Sequence, residues 1–315
     1  MKPLHPQQGP RTQHGAALLL ALLVMGVVTT LAASVVWQQW RAVQIEEAER
    51  ARAQSAWILH GALDWARLIL REDARTGATD HLGEPWAVPL AEARLSTFLA
   101  VDRDVADDAP EAFLSGGMLD AQSRFNLRNL VDNEGKLRAD QLQVLRALCA
   151  SSGVALETAQ KIATGLHSAW AAKPDASAAL PPQTLSQLRW LGVDDDTLAR
   201  LRPLITLLPK PTRLNLNTAS AEVLAAAVPG LEMAGAQQLI RQRDRQAMLS
   251  VGDALALLPA NPQRRAEDFA VASEFFEVSG RLRLGPRTVE ETSLVRRNGM
   301  DVVVLRSERV NRVGL

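Results

Sequence analysis

Cysteine and histidine, the residue types that most often carry chemistry, are few and scattered in this chain. The histidines are His5, His14, His60, His81 and His167. The single cysteine, Cys149, can neither close a disulfide within the chain nor build a cysteine-rich zinc site. The histidines show no zinc-binding spacing, and no set of nucleophile, histidine and acid stands out. These observations predict that the protein is not an enzyme.

Carboxylates gather at two places along the chain. The first group is Asp102, Asp104, Asp107, Asp108 and Glu111. It lacks the glycine and the closing glutamate of an EF-hand loop, so a solvated acidic loop is favoured over a calcium site. The second group, residues 194–196, is placed to cap a helix that begins near Thr197.

The composition is that of a globular chain without excess charge. The 315 residues include 35 Lys+Arg and 35 Asp+Glu, which gives a formal net charge of zero. This length is enough for two or three small domains. Chains built mainly to hold a polyanion are usually strongly basic, so the charge balance argues against that class of protein.

Residues 16–37 form an apolar segment without a charged side chain. A helix of this length spans about 33 Å, enough to cross a bilayer core of about 30 Å. Lys2 and Arg11 precede it without an acidic residue, which indicates a cytoplasmic N-terminus. The segment is longer than the apolar stretch of a secretory signal peptide. Two interpretations remain: a plain membrane anchor, and a pilin-like segment, which depends on His14-Gly15 directly before the apolar run.

The stretch HGAALLLALLVMGVVTTLAASVVWQQWRA, which starts at His14, resembles the N-terminus of type IV pilin-like proteins. In that family, prepilin peptidase removes a basic leader that ends in glycine, and the new N-terminal residue is methylated. The resemblance implies cleavage between Gly15 and Ala16, with residues 1–15 as the leader peptide. It also implies a single-pass protein of the bacterial cell inner membrane, with its globular part in the periplasm.

Most pilins carry glutamate at the fifth mature position, where this sequence has Leu20. An unpaired carboxylate in lipid is costly, so a subunit with no neighbour above it does better with leucine. This departure resembles the K-type minor pseudopilins of type II secretion systems, the family of general secretion pathway protein K. Members of that family are found at the tip of the pseudopilus.

Two further stretches resemble the same family. DAQSRFNLRNL, which starts at Asp120, is similar to a K-type signature, although Asn129 departs slightly from its usual position. The run NLNTA, which starts at Asn215, is also a K-type feature. It lies within residues 213–258, which resemble a helix-hairpin-helix unit of the SAM-like fold. Asn217 and Thr218 are placed to cap the first helix of that unit.

The predicted fold class is α+β. A long helix over residues 16–72, with its transmembrane part at 16–37, is expected to pack on a small antiparallel pilin-like sheet. That sheet domain is discontinuous and comprises residues 73–136 and 269–315. An all-α, SAM-like domain over residues 137–268 is inserted into it. The long helix is predicted because no proline occurs between Gln38 and Arg71 and apolar residues recur there at helical spacing. The C-terminal strands are predicted because residues 301–310 are rich in β-branched residues.

Neither DNA nor calcium is expected as a ligand. DNA-binding helix-hairpin-helix units usually read Gly-x-Gly at the hairpin, and Glu232 replaces the second glycine here. A carboxylate at that position repels phosphate. K-type pseudopilins carry acidic residues after a tryptophan that help to bind calcium, but only Asp175 follows Trp170 closely. One carboxylate provides too few oxygen ligands for calcium.

The favoured function is that of a structural minor pseudopilin at the tip of the type II secretion pseudopilus. Such a protein takes part in pseudopilus assembly and in protein export across the outer membrane. The resemblance implies that minor pseudopilins I and J are its partners, contacted through the sheet and the helix from Trp57 to Leu70. The alternative is a pilin-like, membrane-anchored DNA-binding protein of a DNA-uptake system.

Overall fold

The structure, a computed structural model, describes residues 14–95, 111–171, 180–258, 261–285 and 287–313. Helices in these ranges are α1 His14–Thr76, α2 Ala139–Ser151, α3 Leu156–Ala169, α4 Asp195–Leu201, α5 Ala221–Ala227, α6 Met233–Arg245 and α7 Val251–Ala256. Strands are β1 Leu90–Arg94, β2 Ala112–Asp120, β3 Phe125–Asn126, β4 Ile205–Thr206, β5 Leu214–Asn215, β6 Phe269–Ala270, β7 Phe275–Leu284, β8 Arg287–Asn298 and β9 Asp301–Val313. Short 3₁₀ turns connect several of these elements.

Helix α1 begins before the predicted range 16–72 and ends after it. Among the described helices, it alone is long and apolar enough to cross a membrane, with a mean hydropathy of 2.5 in its most apolar part. Within that part, the hydroxyl groups of Thr29 and Thr30 donate to the carbonyls of Met25 and Gly26, at 2.9 and 3.0 Å. These polar groups are therefore satisfied without water, as a lipid environment requires.

The chain divides into two compact units, of which the second starts at Ile58. This second unit contains a five-stranded antiparallel sheet in the order β1-β2-β7-β8-β9. Strand β2 pairs with β7 along its whole length, from Ala112 opposite Leu284 to Asp120 opposite Phe276. Because neighbouring strands of one sheet flank residues 121–274, the helices between them form an insertion.

The part of α1 that belongs to the second unit covers one face of the sheet. Leu63, Ala66 and Leu70 are buried against Phe276, Val278, Val295 and Val302 of the strands. Leu70 has no exposed surface, and burying a leucine side chain contributes about 1.5–3 kcal/mol. Trp86 closes this core with its ring edge on Phe276, at 5.2 Å between ring centroids.

The insertion has an apolar core of its own. Leu145, Leu148, Ile162 and Leu166, from α2 and α3, are all fully buried in it. Two short parallel strand pairs join chain segments outside its helices: β3 pairs with β4, and β5 pairs with β6. On the other face of the sheet from α1, a small apolar cluster joins the insertion to the strands: Ala121, Leu208, Phe275 and Leu294. We call this contact the seam.

Several local expectations need correction. The pattern suggests a strand that opens at Met118, but β2 begins at Ala112 and ends at Asp120. Gly116 lies inside this strand because a Cβ atom there would come within 2.3 Å of the Ser279 carbonyl oxygen of β7. The range 137–268, expected to be all-α, contains the short strands β4 and β5. The cap of α5 is Ser220 rather than Asn217 or Thr218.

Candidate functional site: a buried polar junction

A group of polar side chains, which we call the polar junction, lies where the end of α1 and the insertion meet β2 and β8. Its members are Asp73, Asp80, Asp120, Asn215, Thr218, Ser273 and Arg297. They come from the end of α1, the loop after it, the end of β2, the end of β5 and the residues beyond it, the loop before β7, and β8. All of them except Asp73 are buried residues, and the Asp73 side chain is buried too. The junction therefore connects the helix, the sheet and the insertion.

Arg297 links the first two carboxylates. One terminal nitrogen of its guanidinium donates to Asp73 Oδ2 at 2.6 Å, and the other donates to both oxygens of Asp80 at 2.5 and 2.6 Å. The second nitrogen also donates to the Ser273 carbonyl at 3.1 Å. The guanidinium carbon lies 4.8 Å from the centroid of the Phe276 ring. Arg297 thus holds the end of α1 and the following loop on the sheet.

Asp120 brings together the two K-type motifs. Its Oδ2 accepts hydrogen bonds from Asn215 Nδ2 at 2.9 Å, Thr218 Oγ1 at 2.6 Å and Ser273 Oγ at 2.7 Å. Its Oδ1 accepts from the main-chain N–H of Gln122 at 2.7 Å. Asp120 opens the first motif, whereas Asn215 and Thr218 belong to the second. The motifs are therefore joined by direct hydrogen bonds between the end of β2 and the insertion.

The asparagines of the first motif make a second set of contacts, inside the insertion. Asn126 Nδ2 donates to the Lys210 carbonyl at 2.8 Å, and its Oδ1 accepts from the Leu208 N–H at 3.1 Å. Asn129 Nδ2 donates to the Thr212 carbonyl at 2.8 Å, and its Oδ1 accepts from the Thr212 N–H at 2.9 Å. Paired side-chain amides therefore hold residues 208–212 against the first motif.

Burial dominates the electrostatics of the junction. It raises the pKa of Asp120 above its ordinary value, although the surrounding hydrogen bonds oppose the shift. Burial also raises the pKa of Asp80, against the attraction of Arg297. The pKa of Asp73 is raised by burial and by the nearby Glu84 carboxylate. All three carboxyl groups therefore bind a proton more readily than an exposed aspartate does.

Two places among the described residues have groups that could attract a cation. Carboxylate oxygens of Asp73, Asp80 and Glu84 lie within 4.8 Å of one another. Arg297 already donates to two of these three groups, so we assign no metal there. Near Trp170, the guanidinium carbon of Arg128 lies 4.4 Å from the ring centroid, so this ring faces a positive charge of the chain itself.

The other residues singled out from the sequence lie apart from the junction or outside the described residues. Asp175 and residues 102–108 fall outside them. Leu20 is an exposed residue of the apolar part of α1, and the main chain of Gly15 and Ala16 is helical. Glu232 precedes α6 at the hairpin, beside Gly230, whose φ of +74° places it in the left-handed region that glycine favours.

Sequence reasoning missed Asp73, Asp80, Ser273 and Arg297. One signal was available for Arg297. Side chains alternate between the faces of a strand, so the pattern that places Val295 in the core of the sheet also places Arg297 on that face. An arginine at such a position requires a buried acidic partner. The loop that carries Asp80 shows no periodic pattern from which its burial follows.

An apolar N-terminal helix that continues onto an antiparallel sheet, with a helical insertion between two paired strands, defines a pilin-like class of protein. Residues 123–210 and 214–279 match the family described as "Type II secretion system (T2SS), protein K". These ranges include most of the first motif, all of the second and most of the insertion.

Relatives and a solved structure agree with this match. Type II secretion system protein K of Pseudomonas aeruginosa is 30% identical, over 88% of this chain and 86% of its own length. The protein of the same name from Pectobacterium carotovorum is 30% identical, over 94% of this chain and 96% of its own length. The chain belongs to the type II secretion system protein K family. The GspK-GspI-GspJ complex of enterotoxigenic Escherichia coli contains a chain of the same fold, with a TM-score of 0.64, 20% identity, and coverage of 84% of this chain and 98% of that one.

Proposed function

We propose that this protein is a structural minor pseudopilin at the tip of the type II secretion pseudopilus. In this proposal it takes part in pseudopilus assembly and in protein export across the outer membrane, and it carries out no catalysis. The apolar part of α1 anchors it in the inner membrane, and the second unit lies in the periplasm. Membership of the protein K family supports this role.

The observation that carries the proposal is the division of α1 into two faces within the second unit. One face is buried on the sheet through Leu63 and Leu70, whereas Trp65 and Leu68 are 52% and 55% exposed. Large apolar side chains exposed side by side on a helix are typical of a surface that a partner covers. We propose that pseudopilins I and J cover this surface. The solved relative in complex with GspI and GspJ supports that choice of partners.

Two further features favour the end of a fibre over a repeated position. Leu20 replaces the glutamate that a pilin uses to pair with the amine of a neighbouring subunit, so this subunit needs no neighbour above it. The insertion, which lies between β2 and β7 in the sequence, adds a helical domain to the sheet domain. A subunit wider than the shaft can end the fibre but does not fit within it.

The test is co-purification of the full-length protein with I and J from detergent-solubilised membranes. We expect a complex with one copy of each subunit on size exclusion. The double variant Trp65→Ala/Leu68→Ala should weaken that complex. The matched control is Trp190→Ala, because Trp190 lies on the insertion and is 50% exposed. Separate elution of the wild-type subunits, or equal loss of the complex in the control, would contradict the proposed surface.

A further inference from the structure

The polar junction contains more negative than positive side chains. Asp73, Asp80 and Asp120 are buried there, and Arg297 is the cation that contacts the first two. Glu84 adds a fourth carboxylate within 4.8 Å of Asp73 and Asp80. Carboxylates this close to one another disfavour full ionisation, because each added charge raises the free energy of the others.

The remaining groups around the cluster do not balance this charge. His81, in the loop after α1, has its Nε2 atom 3.9 Å from Glu84, a contact that is charged only when the histidine is protonated. Trp86 Nε1 donates to Glu84 at 2.7 Å and is uncharged. The insertion presents Asn215 and Thr218, which are uncharged as well. The loop before β7 presents the Ser273 hydroxyl.

Asp120 can exist with or without a proton in the same arrangement of neighbours. Its hydrogen-bond donors are an N–H of the main chain, an amide and two hydroxyl groups, and none carries a charge. A hydroxyl group can turn from donor to acceptor. When Asp120 binds a proton, the hydroxyl of Thr218 or Ser273 can therefore accept a hydrogen bond from it. The network tolerates both states without moving its heavy atoms.

We propose that the polar junction is a proton-linked latch. Its crowded carboxyl groups take up a proton from solvent as the surroundings become mildly acidic, and this uptake tightens the attachment of the insertion to the sheet. Asp120 belongs to the sheet, at the end of β2, whereas Asn215 and Thr218 belong to the insertion, and Ser273 lies where the insertion returns to β7. The latch is a property of this fold and does not depend on the proposed position at the pseudopilus tip.

The direction of this pH dependence, with tighter attachment at lower pH, follows from the raised pKa values of Asp73, Asp80 and Asp120. A carboxyl group with a raised pKa in the folded state binds more protons there than in the unfolded state. Its contribution to stability is full below the ordinary value of about 3.9 and is lost as pH rises through the folded value. Carboxyl groups with lowered pKa values, such as Glu274 and Asp140, change stability only at lower pH. Above the ordinary carboxyl value of about 3.9, the junction therefore determines the carboxyl contribution, which increases stability as the pH falls.

The test is hydrogen exchange of the full-length protein in detergent micelles at pH 7.5 and pH 5.5. The amide of Gln122 donates to Asp120 and the amide of Ser273 donates to Asp80, so peptides with these amides report opening of the latch. After correction for intrinsic exchange, we expect their protection to increase on acidification. Each proton taken up on closing changes the equilibrium by up to tenfold per pH unit.

Asp120→Asn and Asp73→Asn should each reduce this pH dependence, because each removes a group that takes up the proton. Asp73 lies at the edge of the junction, and Asp73→Asn keeps an oxygen acceptor for Arg297. This variant therefore tests the latch if Asp120→Asn does not fold. Asp140→Asn, on the exposed start of α2, is the control and should retain the wild-type pH dependence. Wild-type protection that is unchanged between the two pH values would overturn the latch. So would a pH dependence in both junction variants equal to that of the control.

Discussion

Arg297 is the residue whose removal should destabilise the second unit most. It is 9% exposed and contacts Asp73 and Asp80, whose side chains are 8% and 1% exposed. Arg297→Met keeps much of the packing on Phe276 but leaves two carboxylates without their cation. Breaking a buried pair by removing one partner costs about 3–5 kcal/mol, mostly because the remaining charge is buried unpaired. We expect a loss in this range at pH 7.5. The loss should become smaller at pH 5, because protonated carboxyl groups need no cation.

Urea unfolding of the full-length protein in detergent, followed by circular dichroism, measures this loss. Arg296→Met is the matched control, since Arg296 is the adjacent residue and pairs with Glu274 at 2.8 Å, but its side chain is 42% exposed. An exposed pair of this kind contributes about 0–1 kcal/mol. Adding Asp80→Asn to Arg297→Met should recover part of the stability. If Arg297→Met lowers the free energy of unfolding no more than Arg296→Met does, the carboxylates of the junction do not depend on the Arg297 guanidinium.

Three further predictions concern processing, position and calcium. Co-expression with prepilin peptidase should give a mature chain that starts at Ala16 by mass spectrometry, and Gly15→Leu should block cleavage; an unchanged mass with active peptidase would refute pilin-like processing. Leu20→Glu should not improve secretion, because the added carboxylate lies in lipid without a partner amine, and finding this protein at intervals along isolated pseudopili would contradict a tip position. EGTA should leave the Tm unchanged; a large decrease would indicate that Asp175 or residues 102–111 bind calcium.

The sequence predicts the elements whose patterns are periodic and local. The apolar segment of α1, the β-branched strands at the C-terminus and the hairpin of α5 and α6 follow from spacing and turn residues. The fold class, a long helix with a small antiparallel sheet and a helical insertion, is confirmed. The start of β2 could not be placed, because its glycine pair resembles a turn until the main chain of β7 is seen beside it.

The polar junction was only half predictable, for a physical reason. Asp120 and Asn215 belong to motifs that stand out in the sequence, but their hydrogen bond joins residues far apart in the chain. Local spacing does not reveal a partner at such a distance. The motif with Asn217 and Thr218 also fitted a helix cap, which is the usual use of these residue types. Tertiary contacts instead use Thr218 for Asp120, and they use Asn217 for the main chain at Met248.

The polar junction explains how the insertion is held in one orientation. Apolar contact at the seam is limited to a small cluster that includes Leu208 and Phe275. Apolar surfaces of this size tolerate sliding, because hydrophobic attraction has little directionality. The hydrogen bonds that Asp120 accepts from Asn215 and Thr218 have strict geometry, and a shift would leave buried polar groups unpaired at a cost of about 1–3 kcal/mol each. The junction therefore selects a single docking geometry more than it adds net stability. A subunit proposed to end a fibre needs this property. The surface of α1 that its partners cover and the surface of its inserted helices must be the same in every copy.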